Sequence, residues 1–293
     1  MLGEVLTPIA TPFQADGSLD LDAFRRLAGH LVENGSDGIV PTATTGEGPT
    51  LTDDERAELW AAAVDEVGDR ATVIAGTGTY STAHSVHLTE QAHEIGVDGF
   101  LVVTPYYNKP PPRGIVEHFK AIAAVSDRPI LVYNIPSRVV INIEPETMAE
   151  LAEIDNVRGV KQSNPDPEQA RRIVELGLDL YAGNDDLLYP FLEAGGAGGV
   201  FVFTHLVGNE VKEAIRRFKA GDLEGAREFE PKLRRVFDAL AVTTNPIPLK
   251  AALNLLGLEV GGLRLPLVEA TEDERERIRA GLEAAGLLEP ARV

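Results

Sequence analysis

Lys161 ends the run Val157-Arg158-Gly159-Val160-Lys161, and a lysine at the end of a buried strand has unusual chemistry open to it. Desolvation disfavours the charged form of an amine, and a neutral amine attacks a carbonyl carbon to form a Schiff base. A surface lysine that merely ends a strand is the plain alternative. Other groups with useful chemistry end similar runs. Thr44-Thr45-Gly46-Glu47 follows one of them, and such a segment presents hydroxyls and backbone N–H groups to a carboxylate, or is simply a turn. Tyr106-Tyr107-Asn108 follows another run, and Tyr133-Asn134 ends a third with Ser137-Arg138 just beyond. Each tyrosine alone also reads as packing. A tyrosine, a threonine and a lysine on neighbouring strand ends, however, can move protons to and from an imine. Arg138 can hold a structural ion pair, or grip a planar carboxylate through two parallel hydrogen bonds.

Two further clusters have milder readings. Asn184-Asp185-Asp186 follow a seventh run; adjacent residues on one element point apart, so a cap on the following helix is expected rather than a carboxylate pair. His84, His87 and His93 lie on one predicted helix, the first two on one face at i, i+3. Without a further ligand in place they read as a solvated face, not a metal site.

The elements that must carry these groups repeat along the chain. Candidate strands are Glu4–Ala10, Gly38–Ala43, Thr72–Gly76, Gly99–Thr104, Pro129–Asn134, Val157–Lys161, Leu178–Ala182 and Gly199–Phe203. Most are apolar throughout, as strands buried on both faces are. Stretches of helical periodicity lie between them. Thr52-Asp53-Asp54-Glu55 is a capping box, Ser81 is a capping residue, and Glu144-Pro145 and Pro165-Asp166-Pro167 place prolines in a first helical turn. Strand and helix alternating in this way predict parallel βα units, and eight of them predict a closed (β/α)₈ barrel. In such barrels catalytic groups sit at the C-terminal ends of strands, which is where the residues above fall. The rival is a doubly wound open sheet. It is weakened because Gly76-Thr77-Gly78 does not complete a dinucleotide-binding glycine pattern. Residues 1–221 are expected to form the barrel. Helical segments Asp222–Leu240, Ile247–Leu256 and Asp273–Ala285 exceed its needs, so residues 222–293 are expected to form a C-terminal helical extension.

Composition narrows the function. The 293 residues include no cysteine, which removes disulfides, thiolate metal sites and a cysteine nucleophile. A net charge of −19 argues against nucleic acid. The N-terminal residues lack a signal-peptide pattern and no apolar run is long enough to span a membrane, so a cytoplasmic protein is expected.

Five motifs in one order carry a family resemblance. They are Thr44–Glu47, Tyr106-Tyr107-Asn108-Lys109, Tyr133-Asn134-Ile135-Pro136-Ser137-Arg138, Gly159-Val160-Lys161 and Asn245-Pro246-Ile247-Pro248-Leu249-Lys250. From about Gly3 to Leu288 the chain resembles the dihydrodipicolinate synthase family, within the pyruvate-dependent class I aldolase superfamily that includes N-acetylneuraminate lyase. The resemblance implies that Lys161 forms the Schiff base with pyruvate, while Thr44 and Thr45 hold its carboxylate. It implies that Tyr133 is the general acid and base, linked through Thr44 to Tyr107 from a neighbouring subunit. Arg138 would bind the carboxylate of L-aspartate 4-semialdehyde, and the backbone near Val200 would line the pocket. It further implies a homotetramer built as a dimer of dimers, with no metal or organic cofactor.

The alternative within the superfamily is an aldolase or dehydratase acting on a sugar acid, such as N-acetylneuraminate or a 2-keto-3-deoxy acid. Arg138 favours the semialdehyde, since a sugar has no carboxylate to offer there. A catalytically silent relative should have lost Lys161, Tyr133 or Thr44, and all three are present. The chain departs from the family at Ser163-Asn164-Pro165 and Thr204-His205, both expected to reshape the pocket for the second substrate. It departs also where lysine-inhibited relatives hold free lysine. Here those positions read Gly48-Pro49, Asp53, Arg56, Tyr80 and His84, with Tyr106 kept. Tyr80 and His84 in particular predict weak or absent lysine inhibition.

Overall fold

The computed structural model describes residues 2–289. Eight strands close into a barrel: β1 Val5–Thr7, β2 Gly38–Ile39, β3 Thr72–Gly76, β4 Gly99–Val103, β5 Ile130–Asn134, β6 Val157–Gln162, β7 Asp179–Ala182 and β8 Gly198–Val200. Each pairs in parallel with the next, and β8 returns to β1 through Leu6 and Val200. Between them lie α1 Leu21–Glu33, α2 Asp53–Val67, α3 Thr82–Ile95, α4 Pro112–Ala123, α5 Pro136–Val139, α6 Pro145–Ala152, α7 Pro167–Glu175 and α8 Leu188–Glu193. After β8 come α9 Thr204–Lys219, α10 Leu223–Arg227, α11 Glu230–Leu240, α12 Ile247–Leu255 and α13 Glu272–Ala284. This is the (β/α)₈ barrel with C-terminal helices that the sequence predicts.

Strand alternation splits the apolar residues into two cores. One set of side chains points into the barrel: Leu6, Val40, Ile74, Leu101, Leu131, Tyr133, Tyr181 and Val200 pack there. The alternate set, including Val5, Ile39, Val73, Val102, Val132 and Val160, packs outward under the helices. Each fully buried large apolar side chain contributes roughly 1.5–3 kcal/mol. Leu233, Val236, Leu240, Leu249, Leu253, Ile278 and Leu282 of the C-terminal helices belong to that same outer core.

Three of the expected helix starts carry side-chain caps, and Pro145 and Pro167 take first-turn positions while Pro165 lies ahead of its helix. Thr52 and Glu55 make a reciprocal capping box on α2, and the side chains of Ser81 and Asp166 cap α3 and α7. The single helix expected over Asp222–Leu240 is instead broken into α10 and α11. Pro231 explains the break, because it lacks an N–H and is accommodated only in the first turn of a new helix.

Candidate active site

Lys161 lies at the C-terminal end of β6, only 4 % exposed. The β5–β6 register sets it beside Tyr133, and its Nζ stands 4.1 Å from the centroid of that ring. An aromatic face stabilises positive charge, so the ring favours the cationic nitrogen of an iminium formed there. Alternation sends the neighbours Asn134 and Gln162 outward, where they join each other at 2.9 Å. Gln162 then donates to Gln169 at 2.8 Å, and Gln169 to the Ile143 carbonyl at 2.6 Å. This buried amide chain fixes the two strand ends that carry Tyr133 and Lys161.

A chamber of about 370 Å³ opens on Lys161, and its walls include Thr44, Thr45, Tyr133, Arg138, Asp185 and Asn245. Phe237 and Leu240 of α11 also line it. A second cavity of about 230 Å³ shares Thr44, Tyr133 and Arg138 and continues past Gly48, Pro49 and Arg56 to Tyr106. Thr45 is buried and accepts a hydrogen bond from Asn245 Nδ2 at 3.0 Å. Arg138 is exposed at the rim and donates to the Asn245 carbonyl at 3.4 Å, leaving most of its donors available. The chamber can therefore hold a small keto acid against Lys161 and meet a second carboxylate at its mouth.

Five of the expected site residues thus meet around one space. Val200 is buried in the inner core below and is not among the chamber's lining residues, whereas Val202 is. Tyr107 lies outside both cavities, 93 % exposed, on a left-handed backbone with φ 71°. Its neighbour Tyr106 is half-buried, edge-on to Tyr80 at 5.4 Å, and burial raises its hydroxyl pKa.

Asp185 does not cap its own helix. Its carboxylate instead accepts from the backbone N–H groups of Val202 and Phe203, at 2.8 and 2.9 Å, tying the β7 loop to the end of β8. Burial raises its pKa to about 7, while those N–H groups and the Lys161 charge pull it down. Thr204 and His205 also turn out to be structural, and neither lines the chamber. Thr204 bonds to Thr7 at 2.8 Å. His205 Nδ1–H donates to the Val202 carbonyl at 2.8 Å, and Nε2 accepts from Ala10 N–H at 3.2 Å. Those two roles require a neutral ring, and burial holds its pKa near 4. On the outer surface His84 pairs with Asp53 at 2.8 Å, with His87 at 3.9 Å from the same carboxylate. His93 faces Ser126 instead, at 2.9 Å.

The sequence reading missed one buried pair. Lys250 Nζ lies 2.8 Å from Glu47 Oε1, with both side chains almost wholly buried. Burial lowers the Lys250 pKa and the Glu47 charge opposes that shift. A lone charge within the mostly apolar helix Ile247–Leu255 was the available signal.

Fold and site together define the class: a (β/α)₈-barrel enzyme built around a buried amine at a strand end. The model of the dihydrodipicolinate synthetase family matches residues 1–285. The 4-hydroxy-tetrahydrodipicolinate synthase of Moorella thermoacetica is 48 % identical over 289 residues, covering 98 % of this chain and 99 % of the relative. The enzyme of that name from Desulforudis audaxviator is 47 % identical, with 98 % of each chain covered. The dihydrodipicolinate synthase structure from Cyanidioschyzon merolae, solved with lysine bound, superposes with a TM-score of 0.96 at 41 % identity, covering 98 % of this chain and 99 % of that one. The chain belongs to the dihydrodipicolinate synthetase family.

Proposed function

We propose that the protein condenses pyruvate with L-aspartate 4-semialdehyde to give 4-hydroxy-tetrahydrodipicolinate, on the route to diaminopimelate and lysine. The observation that carries this reading is Lys161, buried beside Tyr133 in a chamber that also holds Thr44, Thr45 and Arg138. Membership of a family whose relatives bear that enzyme name supports the choice of substrates. Lys161 Nζ attacks the pyruvate carbonyl, and loss of one water leaves an iminium. Thr44 and Thr45 hold the keto acid's carboxylate. Removal of a methyl proton gives an enamine, whose carbon attacks the aldehyde, and Tyr133 carries the protons between these centres. Arg138 grips the second substrate's carboxylate. The substrate's own amine then displaces Lys161 and closes the ring.

The proposed assembly is a homotetramer, a dimer of dimers, in the cytoplasm, where pyruvate is produced. The exposure of Tyr107 supports a second copy as the group it serves. A Tyr107→Phe variant should still form the imine, as trapped by borohydride, yet turn over slowly. Full turnover in that variant would remove Tyr107 from the proton relay.

Lysine should inhibit weakly or not at all. His84 is engaged by Asp53, and Tyr80 packs its ring against Tyr106 beside the smaller cavity. Assays with added lysine check this, and half-inhibition below a millimolar would contradict it. The reading as a whole is tested by consumption of the semialdehyde in the presence of pyruvate. Pyruvate trapped on Lys161 without such consumption would keep the imine chemistry and replace the second substrate by a sugar acid.

A further inference from the structure

The Thr44–Glu47 turn is an awkward piece of backbone. Thr42 and Glu47 both adopt left-handed conformations, with φ 61° and 54°. Neither is glycine, so each conformation costs energy and persists only where its surroundings enforce it. At Gly48 a Cβ would lie 2.2 Å from the Thr42 carbonyl oxygen, so the two limbs of the turn touch backbone to backbone. Something outside the turn must hold it.

On the barrel side, Thr42 Oγ1 donates to the Gly76 carbonyl at 3.0 Å and accepts from Trp60 Nε1 at 2.9 Å. Thr11 donates to the Gly46 carbonyl at 2.6 Å, and Arg56 to the Gly48 carbonyl at 2.5 Å. The other side is held by the C-terminal segment, some 200 residues away in sequence. Asn245 holds Thr45. Both carboxylate oxygens of Glu47 are used, Oε1 by Lys250 Nζ at 2.8 Å and Oε2 by the Arg264 N–H at 3.0 Å. Lys250 also donates to the Gly262 carbonyl and lies 4.3 Å from the Phe13 ring centroid. Arg264 donates to the Thr50 carbonyl at 3.1 Å, beyond the turn.

We propose that Lys250 is a positioning residue which, through Glu47, locks the Thr44–Thr45 turn in the shape that grips the keto acid's carboxylate. The assignment of that carboxylate rests on the proposed function, whereas the lock itself does not. A buried ion pair is a poor source of stability, because desolvation offsets most of the attraction, and an apolar pair of similar size commonly replaces it without loss. Its use here is to fix one conformation of a turn that the backbone alone disfavours. The C-terminal helices thereby act on binding as well as on folding.

The test is the double variant Glu47→Met/Lys250→Met, which removes both charges, compared with Lys250→Met and with Lys250→Arg. Trp60 is the sole tryptophan, and its indole N–H bonds to Thr42 at the start of the turn, so its emission reports the turn without any substrate. The double variant leaves the Arg264 N–H and the Gly262 carbonyl without these partners, so it should melt a few degrees below the wild type, with unchanged far-ultraviolet circular dichroism and a shifted Trp60 emission. Its KM for pyruvate should rise at least tenfold, with kcat at saturation falling much less. Borohydride at saturating pyruvate should still label Lys161. Lys250→Arg should recover part of the KM. A folded double variant with wild-type emission and wild-type KM would overturn the proposal. If the wild-type protein binds no pyruvate, the functional reading fails and the emission alone decides the lock: shifted supports it, unshifted overturns it.

Discussion

Replacing Lys161 by alanine should lower turnover on the order of 10⁴-fold or more and leave no pyruvate on the protein after borohydride reduction. The loss is this large because no other group near the chamber can form the imine. The chain has a second buried lysine, Lys250, whose amine is also desolvated. That amine is held by Glu47 and by the Gly262 carbonyl, and it is absent from the chamber wall. Lys161 lines the chamber and has the Tyr133 ring as its neighbour. Lys250 lines a different cavity, beside Phe13 and Gly262, whereas Lys161 shares its chamber with Thr44, Thr45 and Tyr133. Peptide mapping of the trapped wild-type protein should place the adduct on the segment containing Lys161, and an adduct on Lys250 would refute the assignment. Truncation to alanine also removes a packed alkyl stem, so a thermal melt should accompany the assay. A folded Lys161→Ala protein with substantial turnover would end the Schiff-base reading.

Tyr133→Phe should slow turnover by about 10²- to 10⁴-fold, the range for a positioned acid–base group. The substitution keeps the ring, its burial against Leu131 and Tyr181, and its face beneath Lys161. It deletes only the hydroxyl. Imine trapping should therefore persist, more slowly, while the enamine steps stall for want of a proton carrier. Equal loss of trapping and of pyruvate affinity would make Tyr133 a packing residue instead. Near-wild-type turnover would pass the proton transfers to another group, and Thr44 would be the first to examine.

The fate of individual segments shows what the chain announces by itself. Strands β3, β4 and β5 fall within one residue of the predicted spans, because valine, isoleucine and leucine runs bounded by glycine or proline leave little choice. Strands β1, β2 and β8 are shorter than Glu4–Ala10, Gly38–Ala43 and Gly199–Phe203 suggest. Their apolar residues continue past the ladder because the mouth loops are themselves buried, Ile9, Val40, Phe201 and Phe203 among them. Apolarity marks burial in that case, and not strand. Asp185 misled for a related reason. A residue before a helix commonly caps it, but its carboxylate accepts from two backbone donors just past the neighbouring strand.

The sequence by itself determined the number and order of the βα units, the caps that start α2, α3 and α7, the strand ends bearing Lys161 and Tyr133, and the loop bearing Thr44. Those follow from short apolar runs, helical periodicity and capping residues, all of which are local. Only the tertiary structure decided which lysine shares a chamber with Thr44 and Tyr133 and which is bound to Glu47. It alone decided that Asn245 touches Thr45, that α11 lines the chamber, and that Asp185 reaches the segment just past β8. Such contacts join residues far apart in the chain. Their geometry is fixed by closure of the barrel and by burial, which no local pattern of residues encodes.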